Sequence, residues 1–425
     1  MTNITPDSLS GIIFALEGVA RGVVLLNGPT GCKFYHSAIS GNQMVRQGDF
    51  DPLRFPGIWG FGQPRVPCTY LAGRDYVYGS RDKLAEALPW LQGHARDGLI
   101  CVVNSPGAAL IGDDLQGIVQ EVLPDTPCIA IETPGFSENI FAGYDSAAQA
   151  LFRQLDIPPQ PVRPASVNLL GLSIFNRNFQ GDLAETTRLL DLCGVRTNCA
   201  LFAGSDLGAI RAIQSAALNI ALYPESGLTA ARLLEEKYGT PYIVCDGPPV
   251  GFAATEALMA AVCAKLGTDI SAFMEESGRA RARAYTHISR VHTLTGLPKG
   301  AKFALEGTYS ELYAYTKFLT GYFGMIPDGA AVFCPERDEY KEKYLALLDS
   351  LGASAALSRG LTETDAELIF ASGGSIAALK LRKREFTGVE ISLPTLGYID
   401  VLPKANFGLT GALLLTEQVL NGLLF

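Results

Sequence analysis

Residues 22–27 (GVVLLN) run directly into residues 28–32 (GPTGC). The first stretch is short, apolar and rich in β-branched residues, which predicts a buried β-strand. The two glycines and the proline that follow predict a tight turn. Ligands of open α/β sheets bind beyond the carboxyl ends of the strands, so Cys32 lies where such a fold places its chemistry. Gly28 and Gly31 leave room there for a bulky ligand such as an iron–sulfur cluster.

The same alternation of strand, Gly/Pro turn and helix recurs along the chain. Residues 99–104 (LICVVN) and 128–132 (CIAIE) are further apolar runs, and each ends in a Gly/Pro loop. Such repeated βα units are typical of doubly wound parallel sheets. A proline-rich segment at residues 158–164 predicts a linker after this first unit.

Two more α/β units follow the linker, and the second and third share a plan. We therefore expect an α/β fold of three Rossmann-like, doubly wound domains with parallel sheets around a central cleft. The predicted boundaries are 1–164 for an N-terminal domain that carries the ligand loops, 165–298 for the second domain, and 299–425 for a third domain with a closing C-terminal helix. Within the second domain, a short strand is predicted around residues 200–202.

Composition excludes several classes of protein. The chain has 425 residues, of which 48% are hydrophobic and 18% charged, which indicates large folded cores. A net charge of −9 argues against nucleic acid or an anionic membrane as the main partner. Neither a secretory signal nor an uncharged apolar run of about 18 residues is evident. Nine cysteines in such a chain are expected to be cytoplasmic thiols or metal ligands.

Several ordered motifs resemble component 1 subunits of nitrogenase and its relatives. No single motif is specific, but together they run in the family's order over nearly the whole chain. They are the segments 9–18 (LSGIIFALEG), 28–32 (GPTGC), 74–79 (RDYVYG), 110–115 (LIGDDL), 133–136 (TPGF), 217–220 (ALNI), 238–242 (YGTPY), 248–255, 306–307 and 406–412 (NFGLTGA).

The resemblance implies an oxidoreductase subunit that shares an iron–sulfur cluster, either a 4Fe–4S centre or a larger P-cluster-like one, at a subunit interface. It also implies a second component 1 subunit, identical or different, and a separate ATP-hydrolysing iron–sulfur reductase that supplies electrons. The chain itself has no GxxxxGK[ST] phosphate loop. The substrate would be a small molecule in the cleft among the three domains.

Departures from the family pattern narrow this expectation. Of the three cluster cysteines of nitrogenase-type subunits, Cys32 matches the second. The first belongs just before Leu9, where Asp7 is a possible substitute, since one branch of the family uses an aspartate near there. The third belongs where Ser105 stands, and the cysteine that holds the nitrogenase metal cofactor belongs near Tyr223. A nitrogen-fixing subunit is therefore not expected.

Each candidate ligand also has a structural alternative. Cys32 is either a cluster ligand or a buried loop cysteine, and Cys68, in an irregular Gly/Pro/aromatic segment, is either a second ligand or an ordinary loop residue. Asp7 is either a weaker ligand or a helix N-cap. His36, four residues after Cys32, is a weak candidate for a proton donor or a neighbour of the cluster.

The remaining cysteines and histidines have mostly structural interpretations. Core positions are predicted for Cys101, Cys128, Cys193, Cys199 and Cys263. Cys245 and Cys334 lie at the ends of predicted strands, so either one is a candidate for lining the inter-domain cleft. Surface or satisfied buried positions are predicted for His287 and His292.

Three functions remain open from the sequence. The first is the catalytic-component subunit of a nitrogenase-like reductase, which passes electrons from the ATP-dependent reductase through the interface cluster to the substrate. The second is a non-catalytic scaffold or carrier for a metallocluster or small metallocofactor. The third is a cluster-free protein that binds a ligand between its α/β domains.

Overall fold

A computed structural model of the protein describes residues 6–32, 66–95, 98–135, 138–382, 384–392 and 402–424. Its described strands form three separate parallel sheets, and helices connect successive strands. This confirms the expected α/β class with parallel sheets. Within the described residues, no helix is both long and apolar enough to cross a membrane.

The first sheet contains three strands in the order β1-β2-β3. Its strands and the helices of this part of the chain are β1 (Val23–Asn27), β2 (Ile100–Asn104), β3 (Cys128–Ile131), α1 (Ser8–Glu17), α2 (Asp75–Tyr78), α3 (Arg81–Ala95), α4 (Pro106–Ala109), α5 (Leu115–Val122) and α6 (Ile140–Gln154). Strand β2 is buried along its whole length, as an apolar run in the middle of a parallel sheet requires.

The second sheet contains four strands in the order β5-β4-β6-β7. Its elements are β4 (Arg163–Leu170), α7 (Phe179–Leu192), β5 (Arg196–Ala200), α8 (Leu207–Arg211), a 3₁₀ turn (Ile213–Ser215), β6 (Ala216–Ala221), α9 (Pro224–Tyr238), β7 (Tyr242–Val244), α10 (Gly251–Leu266) and α11 (Ser271–Thr295). The strand expected around residues 200–202 ends at Ala200, because Phe202 turns the chain with a φ of 61°.

The third sheet contains four strands in the order β11-β10-β8-β9. Its elements are β8 (Lys302–Gly307), α12 (Tyr309–Phe323), β9 (Ile326–Val332), α13 (Lys341–Ser350), α14 (Ala356–Arg359), β10 (Leu368–Ser372), α15 (Gly373–Leu381), β11 (Thr387–Ser392) and α16 (Gly408–Leu424). Counted from each sheet's own first strand, the second sheet has the order 2-1-3-4 and the third has the order 4-3-1-2, which is the same order read from the other edge. These units therefore do have a common plan. The domain boundaries themselves stay a prediction.

Aromatic rings join the three sheet regions at the centre of the protein. Phe14 of α1 stacks on Phe175, which follows β4, with 5.9 Å between ring centroids. Phe175 in turn stacks on Phe333, which follows β9, at 6.0 Å. A buried ion pair between Arg177 and Glu390, 2.6 Å apart, links the second and third regions. The three units are therefore packed together through both apolar and charged contacts.

Helix α1 is entirely buried and packs against α6 through two glycines. A Cβ atom on Gly11 would lie 2.0 Å from the carbonyl oxygen of Ile140, and one on Gly143 would lie 2.1 Å from that of Ser8. Backbone atoms cannot move aside as flexible side chains do, so both positions require glycine. This close approach fixes the start of α1, where Asp7 lies.

We predict that Gly143→Ala lowers the free energy of unfolding by about 1–3 kcal/mol, because the added methyl group overpacks the contact between α1 and α6. Chemical denaturation measures the change. Gly278→Ala is the matched control, since Gly278 also lies within a helix but has no atom within 4 Å of the added carbon. It should stabilise the protein by about 0.5–1 kcal/mol. Equal effects of the two substitutions would contradict this account of the α1–α6 contact.

Candidate functional site

The carboxyl ends of β1, β2 and β3 bring three loops to one edge of the first sheet. The loop after β1 begins at Gly28, and the loop after β2 begins at Ser105. The Ser105 amide donates to the carbonyl of Asn27 over 2.8 Å. A Cβ atom on Gly28 would lie 2.6 Å from Ser105 Oγ, so glycine is required for this approach. The position at which the family resemblance expects a third cysteine therefore contacts the turn that leads to Cys32.

The segment that carries Cys68 lies along the free edge of β1. The Leu26 amide donates to the Pro67 carbonyl over 2.9 Å, and the Thr69 amide donates to the Leu26 carbonyl over 3.1 Å. Cys68 pairs with Leu26 in an isolated parallel bridge and is 5% exposed. Backbone pairing thus fixes Cys68 beside the strand that precedes Cys32, although the intervening residues 33–65 lie outside the described part.

Buried amide side chains connect these strand ends. Asn27 Nδ2 donates to Asn104 Oδ1 over 2.8 Å and to Ser80 Oγ over 3.0 Å. The Thr69 hydroxyl donates to Asn27 Oδ1 over 2.8 Å and accepts from the Gly28 amide over 3.0 Å. Asn27 and Thr69 therefore hold the Cys68 segment and the Cys32 turn together.

Sequence reasoning missed this polar network, but a signal for it was present. The apolar runs of β1 and β2 both end in asparagine, at Asn27 and Asn104. A buried amide needs a partner, so two such residues at neighbouring strand ends predict a pair.

Asp7 is the N-cap of α1, which is the structural role predicted from the sequence as the alternative to cluster ligation. Its Oδ1 accepts from the Ser10 amide over 2.9 Å and from the Ser10 hydroxyl over 2.8 Å. Asp7 also pairs with Asn139 in an isolated bridge. The Ser8 hydroxyl donates to the carbonyls of Pro134 and, over 3.0 Å, of Gly135. The loop after β3 thus meets the start of α1, and the capping role leaves a role for Asp7 as a ligand untested.

Electrostatic interactions join Cys32 to the other candidate ligands. Burial raises the pKa of the Cys32 thiol, and the negative charges of Asp7 and Cys68 raise this pKa further. Burial also raises the pKa of Tyr76, with smaller contributions from Cys32 and Asp75. The Cys32 thiol is therefore within electrostatic range of Cys68, Asp7 and Tyr76.

This donor set fits part of an iron–sulfur site. Thiolates are the usual ligands of such clusters, and a bound cation would favour the thiolate that burial and the neighbouring charges disfavour here. Among the described residues, no heavy atom lies within 4 Å of a Cβ built on Gly31. Within the described ranges, no group of three or more His, Cys, Asp or Glu side chains is arranged to hold a metal ion. A cluster at this edge would need further ligands from outside these ranges.

An exposed apolar surface lies next to Cys32. Helix α2 has no buried residue, and Tyr76 packs over Gly107, where an added Cβ would lie 3.3 Å from the Tyr76 ring. Exposed large apolar side chains on α2 and in the loops on either side of the site are Tyr70, Tyr76, Val77, Tyr78 and Leu110, which we call the α2 surface. Exposed apolar side chains that form a patch are typical of an interaction site.

The position that the resemblance assigns to a cofactor cysteine is filled by an aromatic pair. Tyr223 is buried, and its ring centroid lies 5.3 Å from that of Phe407. Close by, Glu225 accepts from the Ser310 hydroxyl over 2.8 Å. Burial raises the pKa of Glu311 to about 7, with smaller contributions from neighbouring carboxylates that include Glu225. An acid of this pKa exchanges protons near neutral pH.

The other candidates are dispersed. Buried cysteines outside the site are Cys101, Cys193, Cys199, Cys245, Cys263 and Cys334. Cys128 is partly buried at the start of β3, at the opposite end of the strands from the site. Both His287 and His292 are exposed, and His36 lies outside the described residues. Cys245 lines a cavity between the second and third units.

A family model for nitrogenase component 1 type oxidoreductases matches residues 8–424. The chain belongs to this family. It is 28% identical over 220 residues to a light-independent protochlorophyllide reductase subunit of Methylobacterium sp. (strain 4-46), a match that covers 51% of this chain and 43% of that protein. It is also 28% identical over 236 residues to the nitrogenase iron-molybdenum cofactor biosynthesis protein NifE of Methanococcus maripaludis, over 54% of this chain and 45% of that one.

These matches span less than half the length of either relative. A solved structure of nitrogenase Cp1 at pH 6.5 shares the fold with a TM-score of 0.78, over 100% of this chain and 94% of that one, at 16% identity. The family expectation from the motifs is therefore confirmed.

We predict that Asp7→Asn speeds alkylation of Cys32 by iodoacetamide about twofold or more in metal-free protein at pH 8. Asparagine is an equally good N-cap, but it removes a negative charge that raises the pKa of the thiol, so more thiolate forms. Mass spectrometry of the Cys32 peptide gives the rate. Asp125→Asn, an exposed site in the same unit, is the control and should leave this rate unchanged. An unchanged rate in Asp7→Asn would show that Asp7 does not act on Cys32.

Proposed function

We propose that this chain is the catalytic-component subunit of a nitrogenase-like reductase. A separate ATP-hydrolysing iron–sulfur protein supplies electrons, and a small molecule held in the cleft among the three units is reduced. The observation that carries the proposal is the placement of Cys32, Cys68 and Asp7 at one sheet edge in a member of this family. When bound there, an iron–sulfur cluster would supply one-electron transfer.

Each ligand residue has a defined part in this proposal. Cys32 and Cys68 hold the cluster through their thiolates. Gly31 leaves space for it, whereas the space beside Gly28, which the sequence had suggested as room for a ligand, is taken by Ser105. Asp7 contributes a carboxylate, either as a weak ligand or as a nearby charge that influences the reduction potential. Tyr76 packs over Gly107 in the loop after β2.

A second chain completes the site in this proposal. Two thiols are fewer than the four that a cubane cluster commonly uses, so another subunit supplies the rest. The α2 surface is the natural place for that subunit, because it is apolar, exposed and next to Cys32. Either a second copy of this chain or a different component 1 subunit satisfies this requirement.

The environment of Tyr223 supports a substrate other than dinitrogen. With an aromatic pair in place of the family's cofactor cysteine, a metal cofactor of the nitrogenase type has no ligand at this position. Reduction consumes protons as well as electrons. Glu311 forms the capping box of α12 with Thr308, and burial raises its pKa to about 7, so we propose it as a proton donor in this region. A tetrapyrrole, or another organic molecule with a bond that is difficult to reduce, fits these features.

A scaffold or carrier for a metallocluster is the second candidate function. It is favoured by the similarity to NifE, whose name describes cofactor biosynthesis. The two functions differ in what leaves the protein, because a reductase retains its cluster through many turnovers and a carrier transfers it. Incubation of iron-loaded protein with the ATP-dependent reductase, with iron content and reduced product both measured, distinguishes them. Product without loss of iron supports the reductase, and loss of iron without product supports the carrier.

We predict that anaerobically purified wild-type protein contains an oxygen-labile iron–sulfur cluster and that Cys32→Ala reduces its iron content at least tenfold. Cys68→Ser should reduce the iron content to about half or less, because serine is a poorer ligand for iron–sulfur centres than thiolate. Iron and sulfide assays with electron paramagnetic resonance spectra measure both effects.

The matched control is Cys128→Ser, since Cys128 is also partly buried and lies in the same sheet but at the opposite strand end. It should keep the iron content of the wild type. Normal iron content in Cys32→Ala would refute the site, and normal content in Cys68→Ser would assign the second ligand to the partner.

We predict that Val77→Glu converts the protein from an oligomer to monomers and lowers its iron content, because a charge on the α2 surface opposes burial. Val77 is 75% exposed, so the substitution should not disturb the fold. Sedimentation velocity measures the change. Leu294→Glu, at an equally exposed apolar position on α11, is the control and should stay oligomeric. A monomeric wild-type protein with a full cluster would exclude a shared site.

A further inference from the structure

A cavity of about 540 Å³ lies between α10, α11 and α12, beyond the carboxyl end of β7. Its volume is within the range of about 300–1,000 Å³ that is typical of small-molecule sites. It belongs to the second and third units, and none of the residues that line it is among the candidate cluster ligands. The proposed function therefore assigns nothing to it.

Small and aromatic side chains form the walls of this cavity. Ala253, Ala257 and Ala261 of α10 line one side at intervals of four residues, so the helix presents a continuous low wall. The opposite wall is aromatic: the rings of Phe318 and Tyr322 stack with 5.5 Å between centroids. These walls favour an apolar ligand body.

Two glycines allow the loop before α10 to close one end of the cavity. A Cβ atom on Gly247 would lie 2.6 Å from the Ser310 carbonyl oxygen, and one on Gly251 would lie 2.2 Å from Cδ2 of Phe318. Both have positive φ values, 80° and 82°. Close packing of this loop against α12 thus closes one end of the cavity.

Charged side chains at the cavity leave an excess of positive charge. Arg281 is neutralised by Glu256, since its Nε and Nη2 donate to the two carboxylate oxygens over 2.8 and 2.7 Å. Asp246 accepts from Lys343 over 2.6 Å, whereas its nearest contact with Lys317 is longer, at 3.6 Å.

One carboxylate is therefore shared by two ammonium groups. Burial opposes ionisation of Asp246, but the hydrogen bond and charge of Lys343, with the charge of Lys317, hold its pKa below the ordinary value. Lys317 lines the cavity and is the lysine that Asp246 neutralises less completely. The Lys317 ammonium also donates to the Tyr313 hydroxyl over 3.3 Å and its side chain is 51% exposed, so an anionic group can reach it at this end.

We infer that this cavity binds a small amphiphile that carries one anionic group, a carboxylate of medium chain length or an aromatic equivalent. The apolar body lies between the α10 alanines and the α12 aromatic rings, and the anion lies at Lys317. A cationic amphiphile of the same length is rejected by the same charge excess.

Calorimetric titration of the full-length protein with sodium decanoate and with decyltrimethylammonium, both below their micelle concentrations, tests this inference. Decanoate should bind with a Kd below about 1 mM and at least tenfold more tightly than the cation. Lys317→Gln should weaken decanoate binding about fivefold to tenfold, and added salt should weaken binding to the wild type. Lys265→Gln, on α10 but outside the cavity lining, should leave the affinity unchanged.

A steric pair of variants provides a second test. Ala257→Trp fills the cavity and should abolish decanoate binding, whereas Ala260→Trp, on the same helix but outside the lining, should not. Melting temperatures verify that both variants fold. If Ala257→Trp does not fold, the Lys317→Gln titration still tests the inference independently. Equal binding of the two amphiphiles, equal binding by the two tryptophan variants, or no binding of either amphiphile would overturn the inference.

Discussion

The buried amide pair Asn27 and Asn104 is the constraint on which the candidate site depends. Both side chains lie at strand ends with almost no exposure, so each must find partners inside the protein. Asn27 satisfies this need through Asn104, Ser80 and Thr69. The last bond ties the Cys68 segment to β1 immediately before the turn to Cys32. Segments from separate parts of the chain are therefore held in one arrangement by a few hydrogen bonds.

The same arrangement explains why glycine and serine occupy two positions around the turn. Gly28 is needed because Ser105 Oγ lies where a Cβ would be. Ser105 in turn caps α4 by accepting from the Ala108 amide. Ser105 stands where the family resemblance leads us to expect a third cysteine. In the proposed function, a site shared with a second subunit accounts for the small number of thiols.

Sequence patterns predicted the fold where the physical signal is local. The apolar runs of β1, β2 and β3 and the Gly/Pro turns after them were sufficient to place strands and loops. The strand predicted around residues 200–202 is instead β5, which ends at Ala200 because Phe202 turns the chain with a φ of 61°. Strand β11 was also missed, since its sequence, TGVEIS, mixes polar residues and glycine and is buried by tertiary packing.

The candidate site was predictable only in part for the same reason. The position of Cys32 was predictable from the strand and the turn beside it in the sequence. The N-cap role of Asp7 was one of two alternatives, and only the packing of α1 on α6 shows how it is held near Cys32. The position of Cys68 depends on backbone pairing with β1 across a long sequence separation, and the ligands that a partner subunit would contribute lie outside a single copy of the chain.

Anomalous diffraction at the iron absorption edge, from crystals of the anaerobically purified complex, tests the central claim most directly. The account predicts iron density bonded to the sulfur atoms of Cys32 and Cys68, at a boundary between two subunits, with Asp7 beside it. Iron located only elsewhere in the complex, or a cluster whose ligands all come from one subunit, would contradict it.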